Sequence, residues 1–174
     1  MGGVKLSDKQ HFALQIGRRV LNSQLISDGQ YLVYSANVLT PFGYVDFSVL
    51  TDFEEPSVLW GIDGDWMVNY IPSSIKFNPT DHCGVLRVKS KSFNPHFVKF
   101  YLDREGQKVG FSRSYRASLD RISTLSIPSV SIQVQDDIIK EVELLEKRIS
   151  VLESKLPLLM DKQKNIVFDI LGLY

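Results

Sequence analysis

Residues 136–174 read DDIIKEVELLEKRISVLESKLPLLMDKQKNIVFDILGLY. Apolar residues recur at Ile138, Val142, Leu145, Ile149, Leu152, Leu156, Leu159, Ile166, Ile170 and Leu173. The steps alternate four and three, with one step of seven across Gln163. Five heptads in register predict a long helix whose apolar seam pairs with another helix, from a second copy or from a partner, rather than packing on its own domain as a shorter amphipathic helix would. At about 1.5 Å per residue the seam spans about 54 Å, too long to wrap around a domain of this chain's size. β-branched residues at several first seam positions and leucines at several second ones suit a two-stranded coil. Pro157 follows the seam residue Leu156, and a proline inside a helix costs about 3 kcal/mol. A kink or break is therefore expected near residues 153–157. Gln163 is either a tolerated polar imperfection or a register-fixing residue.

Upstream of this segment the pattern changes to short β-prone runs. Tyr31–Tyr34, Ser57–Trp60 and Val85–Val88 are bounded by the turn signals Asp28-Gly29, Pro41-Phe42-Gly43, Asp63-Gly64 and Asn78-Pro79. Residues 94–103 predict a short helix, with Asn94 as its cap, Pro95 in its first turn and Phe97, Phe100 and Tyr101 on its apolar face. Residues 118–125 suit a short turn or strand leading to Pro128. The fold class is therefore α+β: a mixed α/β domain over residues 1–127, then a long coiled-coil helix within 128–174, with the boundary at Ile127-Pro128-Ser129.

The composition is that of a globular chain: 174 residues, 44% hydrophobic and 23% charged, with twenty basic residues balancing twenty acidic ones. A uniformly basic nucleic-acid coat is excluded, yet the charge is unevenly spread. Between Arg87 and Arg121 nine basic residues face only Asp103, Glu105 and Asp120, whereas Asp46 to Asp65 holds six acids and no basic residue. A basic patch on a neutral chain suits a polyanion gripped on one face. The single cysteine, Cys83, excludes a disulfide framework and a multi-thiolate zinc site, and fits a reducing compartment. No apolar run reaches the roughly 18 residues of a membrane span, and Met1–Lys5 lacks the apolar core of a signal peptide. A soluble, cytoplasmic chain is expected.

Four stretches could carry chemistry. Gly110–Ser118 packs Arg113, Ser114, Tyr115 and Arg116 behind a glycine. Arginine forks read guanine or grip phosphate, and hydroxyls bond phosphate oxygens, so this is either a nucleic-acid-facing loop or a solvated polar one. In Tyr34–Val38, Asn37 could face a base edge or satisfy the backbone of its own turn. In Trp60–Trp66, Asp63 and Asp65 could form a carboxylate pair for a metal, but a tight hairpin between flanking tryptophans is the plainer reading. His82 and Cys83 are adjacent, so their side chains point apart and form no dyad. No phosphate-binding or dinucleotide-binding glycine motif is present. Phe77-Asn78-Pro79-Thr80 only begins like an amino-methyltransferase motif.

The order of several segments resembles the DNA-specificity subunits of type I restriction–modification systems. They are Gly17–Leu21, Tyr34–Val38, Pro41–Tyr44, Trp60–Gly64, Phe77–Val85, Gly110–Ser118, Ile127-Pro128, and Gln135 with the long helix. The resemblance covers nearly the whole chain. It implies a target-recognition domain followed by a spacer helix. A full-length subunit carries two of each, reads a two-part DNA site with a fixed gap, and has no catalytic centre. It recruits methyltransferase subunits, which use S-adenosylmethionine, and through them an ATP-driven restriction subunit. With one domain and one helix this chain looks like a half-subunit, which implies a homodimer on an interrupted palindrome. It departs from the family at Ile127–Ser131, which lacks the later prolines of the usual Ile-Pro-Leu-Pro-Pro stretch, and at Pro157.

The resemblance and the charge pattern together assign double-stranded DNA contact to Arg113, Ser114, Tyr115 and Arg116. Lys89 and Lys91 become phosphate clamps, and Ser35 and Asn37 base readers. Ile138, Val142, Leu145, Ile149, Leu152, Leu156, Leu159, Ile166 and Ile170 become the dimer seam. No catalytic residue, metal or cofactor is expected. Two other classes are open: a coiled-coil assembly protein whose basic patch meets an acidic protein partner, and a nuclease using Asp63 and Asp65.

Overall fold

In a computed structural model, described here for residues 2–171, the chain forms two units that divide after Gln135. The apolar run at 57–61 becomes the strand β5 (Ser57–Gly61), buried along its whole length. It lies in a four-stranded antiparallel sheet with β2 (Phe12–Ile16), β8 (Cys83–Val88) and β6 (Val68–Ile71), in the order β2-β8-β5-β6. A strand covered on both faces reads as continuously apolar rather than alternating. One cover is a three-stranded sheet of β4 (Tyr44–Val45), β3 (Tyr31–Tyr34) and β7 (Phe77–Pro79), in which β3 and β7 run parallel. Leu59, Ile71, Cys83 and Val85 of the larger sheet pack with Tyr34 and Phe77 of the smaller one.

The helix α1 (Pro95–Val109) lies against β5 and β6 and buries Phe97, Val98 and Leu102. Asn94 caps it as expected, its side-chain oxygen accepting the His96 N–H at 2.8 Å. It runs past Asp103 because Gly106 is tolerated within it: a Cβ there would lie 2.2 Å from the Trp66 ring. It ends at Gly110, whose φ of 76° is left-handed. Residues 118–125 are not a strand. They form the short helix α2 (Leu119–Ser123), with Ile122 buried and Asp120 in its first turn, where a carboxylate suits the helix dipole. A strand begins only at Ser126: β9 (Ser126–Pro128) pairs with β1 (Gly3–Lys5).

The first unit extends through residues 128–135. Pro128 closes β9. Gln135 is fully buried, and its side chain bonds the backbone of Ser92, Asn94 and Val130.

The helix α3 (Ile132–Leu171) is continuous and contains Pro157. Of the kink or break expected near residues 153–157, the helix shows no break. A proline removes one backbone hydrogen bond, and the long run of helix on either side holds the geometry. Ile138 and Val142 are half-buried. From Leu145 onward the seam is exposed: Leu145, Ile149, Leu152, Leu156, Leu159, Ile166 and Ile170 are each more than half accessible. Leu173 lies outside the described residues. No described helix is long and apolar enough to cross a membrane.

Candidate nucleic-acid interface

Strand order brings several distant loops to one end of the four-stranded sheet. β2 ends where β8 begins, since Ile16 pairs with Gly84. Arg18 and Arg19 therefore emerge beside residues 80–82, and the Arg18 N–H donates to the Pro79 carbonyl at 3.2 Å. β5 ends at the same level, with Gly61 opposite Cys83. The loop after β3 closes on it, and Gly61 is needed there because a Cβ would lie 2.3 Å from the Ala36 carbonyl oxygen.

The 110–118 loop is fastened to this end by the hairpin between β5 and β6. The Ala117 N–H donates to the Ile62 carbonyl at 3.0 Å, and Trp60 Nε1 donates to the Ala117 carbonyl at 3.0 Å. The second flanking tryptophan, Trp66, donates to the Asp103 carbonyl of α1 at 2.9 Å. A Cβ on Gly84 would meet the Trp60 ring at 2.0 Å. The tryptophans that frame Asp63 thus fix the hairpin to β8, to α1 and to the loop. The expected hairpin is present, and Gly64 at its tip has a φ of 87°.

Asp63 does not pair with Asp65. Its carboxylate accepts from Arg116 through Nε and Nη2 (the latter at 3.0 Å) and from His82 Nδ1. Burial acts to raise the Asp63 carboxyl, but the hydrogen bonds from His82 and Arg116 and the positive charge of Arg116 hold it below the usual carboxylate range. Among the described residues no group of three His, Cys, Asp or Glu could hold a metal ion. Cys83 is buried, and burial pushes its thiol up, away from reactive thiolate character.

The rest of the loop is rigidly built. Ser112 and Tyr115 exchange backbone hydrogen bonds of 3.0 and 3.2 Å, which puts Arg113 and Ser114 at the tip of a tight turn. Tyr115 stacks on Phe111 with ring centroids 5.8 Å apart, and the Arg121 guanidinium lies 4.0 Å over the Tyr115 ring. Arg121 Nη1 also donates to the Arg116 carbonyl at 2.7 Å. Arg113, Ser114, Tyr115 and Arg116 are all exposed.

Ser35 and Asn37 lie at this end too. Ser35 Oγ accepts from Thr80 Oγ1 at 3.0 Å. Asn37 Oδ1 accepts the backbone N–H groups of Leu39 and Thr40 at 2.9 and 3.2 Å, so its oxygen serves its own turn. Lys89 and Lys91 are not brought together with the others. They follow β8, whereas His82 precedes it, which separates Lys89 from His82 by about 23 Å along an extended strand. Lys89 Nζ donates to the Lys9 carbonyl at 3.0 Å. Arg87 holds the backbone carbonyls of Asp52 and Glu55, so this member of the basic run is structural.

Four residues of this end are not marked as site residues by the sequence: Arg18, Arg19, His82 and Arg121. Arg121 is visible there only as part of the basic run. Arg18 and Arg19 stand in a segment that carries the family resemblance, and that segment is the available signal. His82 acquires its partner only through the meeting of two loops.

Residues 7–167 match the family model described as type I restriction modification DNA specificity domain. A Mycoplasma pneumoniae protein named as a type I specificity subunit is 27% identical over 158 residues, covering 89% of this chain and 42% of that protein. The fold is similar to that of a type I restriction-modification S subunit from M. genitalium, with a TM-score of 0.63 at 18% identity over 99% of this chain and 44% of that one. It is also similar to the HsdS subunit of Thermoanaerobacter tengcongensis, with a TM-score of 0.64 at 14% identity over 86% of this chain and 38% of that one. The chain spans less than half the length of each of these relatives.

Proposed function

This chain belongs to the type I restriction modification DNA specificity domain family, and on that premise we propose that it reads DNA sequence for a restriction–modification complex and catalyses no reaction itself. The observation that carries this is the convergence at one end of the sheet of Arg18 and Arg19, which follow β2, with Arg113, Arg116 and Arg121 of the 110–118 loop and α2, held by backbone and tryptophan hydrogen bonds. Phosphate contacts position a protein on the duplex, and side chains reaching base edges read sequence. Arg113, Ser114, Tyr115 and Arg116 are the leading contacts, with Ser35 and the exposed amide of Asn37 beside them. Lys89 and Lys91, beyond the far end of β8, suit flanking phosphates.

The exposed seam of α3 supports a second part of the reading. A contiguous apolar stripe of this length on a monomer marks an interaction surface. Two copies paired through Ile138, Val142, Leu145, Ile149, Leu152, Leu156, Leu159, Ile166 and Ile170 would rebuild a two-domain reader, with the helices setting the gap between half-sites. Its partners are then a methyltransferase subunit and, through it, a restriction subunit, in the cytoplasm. Light scattering across a concentration series tests the pairing, with a mass near twice 19.8 kDa expected. A persistent monomer overturns the homodimer. Salt-dependent binding to duplex DNA tests the reading function, and its absence leaves the coiled-coil assembly role.

A further inference from the structure

We infer that Arg116 reads a guanine rather than gripping a phosphate, and that Asp63 is the positioning residue that makes it do so. This rests on the DNA-recognition reading above. Asp63 takes the Nε and Nη2 edge of the guanidinium. The other edge, with one hydrogen each from Nη1 and Nη2, is left as a two-donor fork. The Arg116 side chain is 54% exposed and that of Asp63 only 23%, so the carboxylate lies behind the guanidinium and the fork is accessible to a ligand.

The backbone around that side chain is fixed as well. The Arg116 carbonyl accepts from Arg121, and the next residue, Ala117, is bonded on both sides to the hairpin that carries Asp63. A ligand therefore meets an arginine whose ordering entropy was lost on folding, not on binding.

Charge decides which ligand suits it. Asp63 neutralises Arg116 at close range. A phosphate at the outer fork would approach that carboxylate and be repelled by it, whereas a base edge carries no net charge. In the major groove guanine presents two adjacent acceptors, O6 and N7, which match the fork. Adenine presents one acceptor and one donor there, and the donor has no partner on a guanidinium. By contrast Arg18 and Arg19 are exposed and have no carboxylate within salt-bridge distance among the described residues, which leaves them suited to phosphate.

The test is selection of bound duplexes from a random-sequence library by the purified full chain, followed by affinity measurement on the enriched duplex over a salt series. Wild type, Arg116→Ala, Arg116→Lys and Asp63→Asn are compared, with a melting curve for each to verify folding. Wild type is expected to enrich a motif containing a required G·C pair. Both Arg116 variants should lose that one preference, keep the rest of the motif and bind the enriched duplex about tenfold more weakly or worse. Arg116→Lys keeps the charge, so its failure to restore guanine preference isolates the fork. Asp63→Asn should relax the same position, strengthen binding to non-enriched duplex and steepen the salt dependence by about one counterion.

An unchanged motif in the Arg116 variants would overturn the inference and leave DNA recognition standing. So would a salt slope that falls by about one in Arg116→Ala with the motif intact, since that marks a phosphate partner. If wild type enriches nothing, the DNA-recognition reading fails and the inference fails with it.

Discussion

The side-chain oxygen of Gln135 accepts the backbone N–H of Asn94 at 2.8 Å, joining the first turn of α3 to the cap of α1. Its amide nitrogen donates to the Ser92 and Val130 carbonyls at 2.8 and 2.9 Å. A fully buried glutamine with three backbone partners anchors the segment between the last strand and the long helix. Removing it leaves three backbone groups without their partner, each costing roughly 1–3 kcal/mol if buried.

Gln135→Ala is therefore expected to destabilise the first unit by about 2–4 kcal/mol. Denaturant unfolding followed by tryptophan fluorescence reads this, because Trp60 and Trp66 both lie in that unit. A change under 0.5 kcal/mol, roughly the range of an exposed surface substitution, would show that the anchor is dispensable.

Asp63 sets a pH dependence of known sign. Against the upward pull of burial, His82 and Arg116 depress its carboxyl in the folded chain. Its contribution to stability is thus fully present above the ordinary aspartate value of about 3.9 and is lost as pH falls through the lower folded value. The difference in melting temperature between wild type and Asp63→Asn should shrink as pH falls below about 4, where the Asp63 carboxylate takes up its proton. A difference that grows as pH falls below about 4 would contradict the pairing.

Cys83 reports on the core between the two sheets. It is fully buried, and burial pushes its thiol upward. A thiol reagent should modify it only as fast as the domain opens, so the rate should rise steeply at the unfolding midpoint. Rapid labelling of the native chain would contradict that core.

Pro157 lies within a continuous helix. Pro157→Ala restores an interior hydrogen bond and a better helix former, a gain of up to about 3 kcal/mol. Higher helicity by circular dichroism and a higher melting temperature are expected. A loss of either would mean that the proline shapes α3 in a way its neighbours require.

Much of this architecture is legible in local sequence. Tyr31–Tyr34, Ser57–Trp60 and Val85–Val88 announce three strands by β-branched and aromatic density, and Asn94-Pro95 announces the start of α1. The heptads of 138–170 announce α3. What local pattern does not carry is pairing across distance. β1 and β9 are three residues each and find one another across more than a hundred residues. Asp63 and Arg116 are 53 positions apart, and neither carries a periodic signal. Asp63 reads as half of a carboxylate pair or as a turn residue. It is a turn residue, and the topology then turns it toward an arginine. Lys89, Lys91 and Arg116 fall in one basic run, yet β8 and α1 separate them. A linear charge window does not distinguish a patch from a distributed surface.

The DNA surface proposed for this chain is the loop end bearing Arg18, Arg19 and Arg116. Its most direct test is the affinity of the full chain for duplex DNA across a salt series, for wild type and for Arg18→Ala/Arg19→Ala. Log affinity should fall linearly with log salt. The double variant should have a slope shallower by nearly two, about 0.9 for each phosphate no longer neutralised. A wild type that binds no duplex, or a double variant with an unchanged slope, would contradict that assignment.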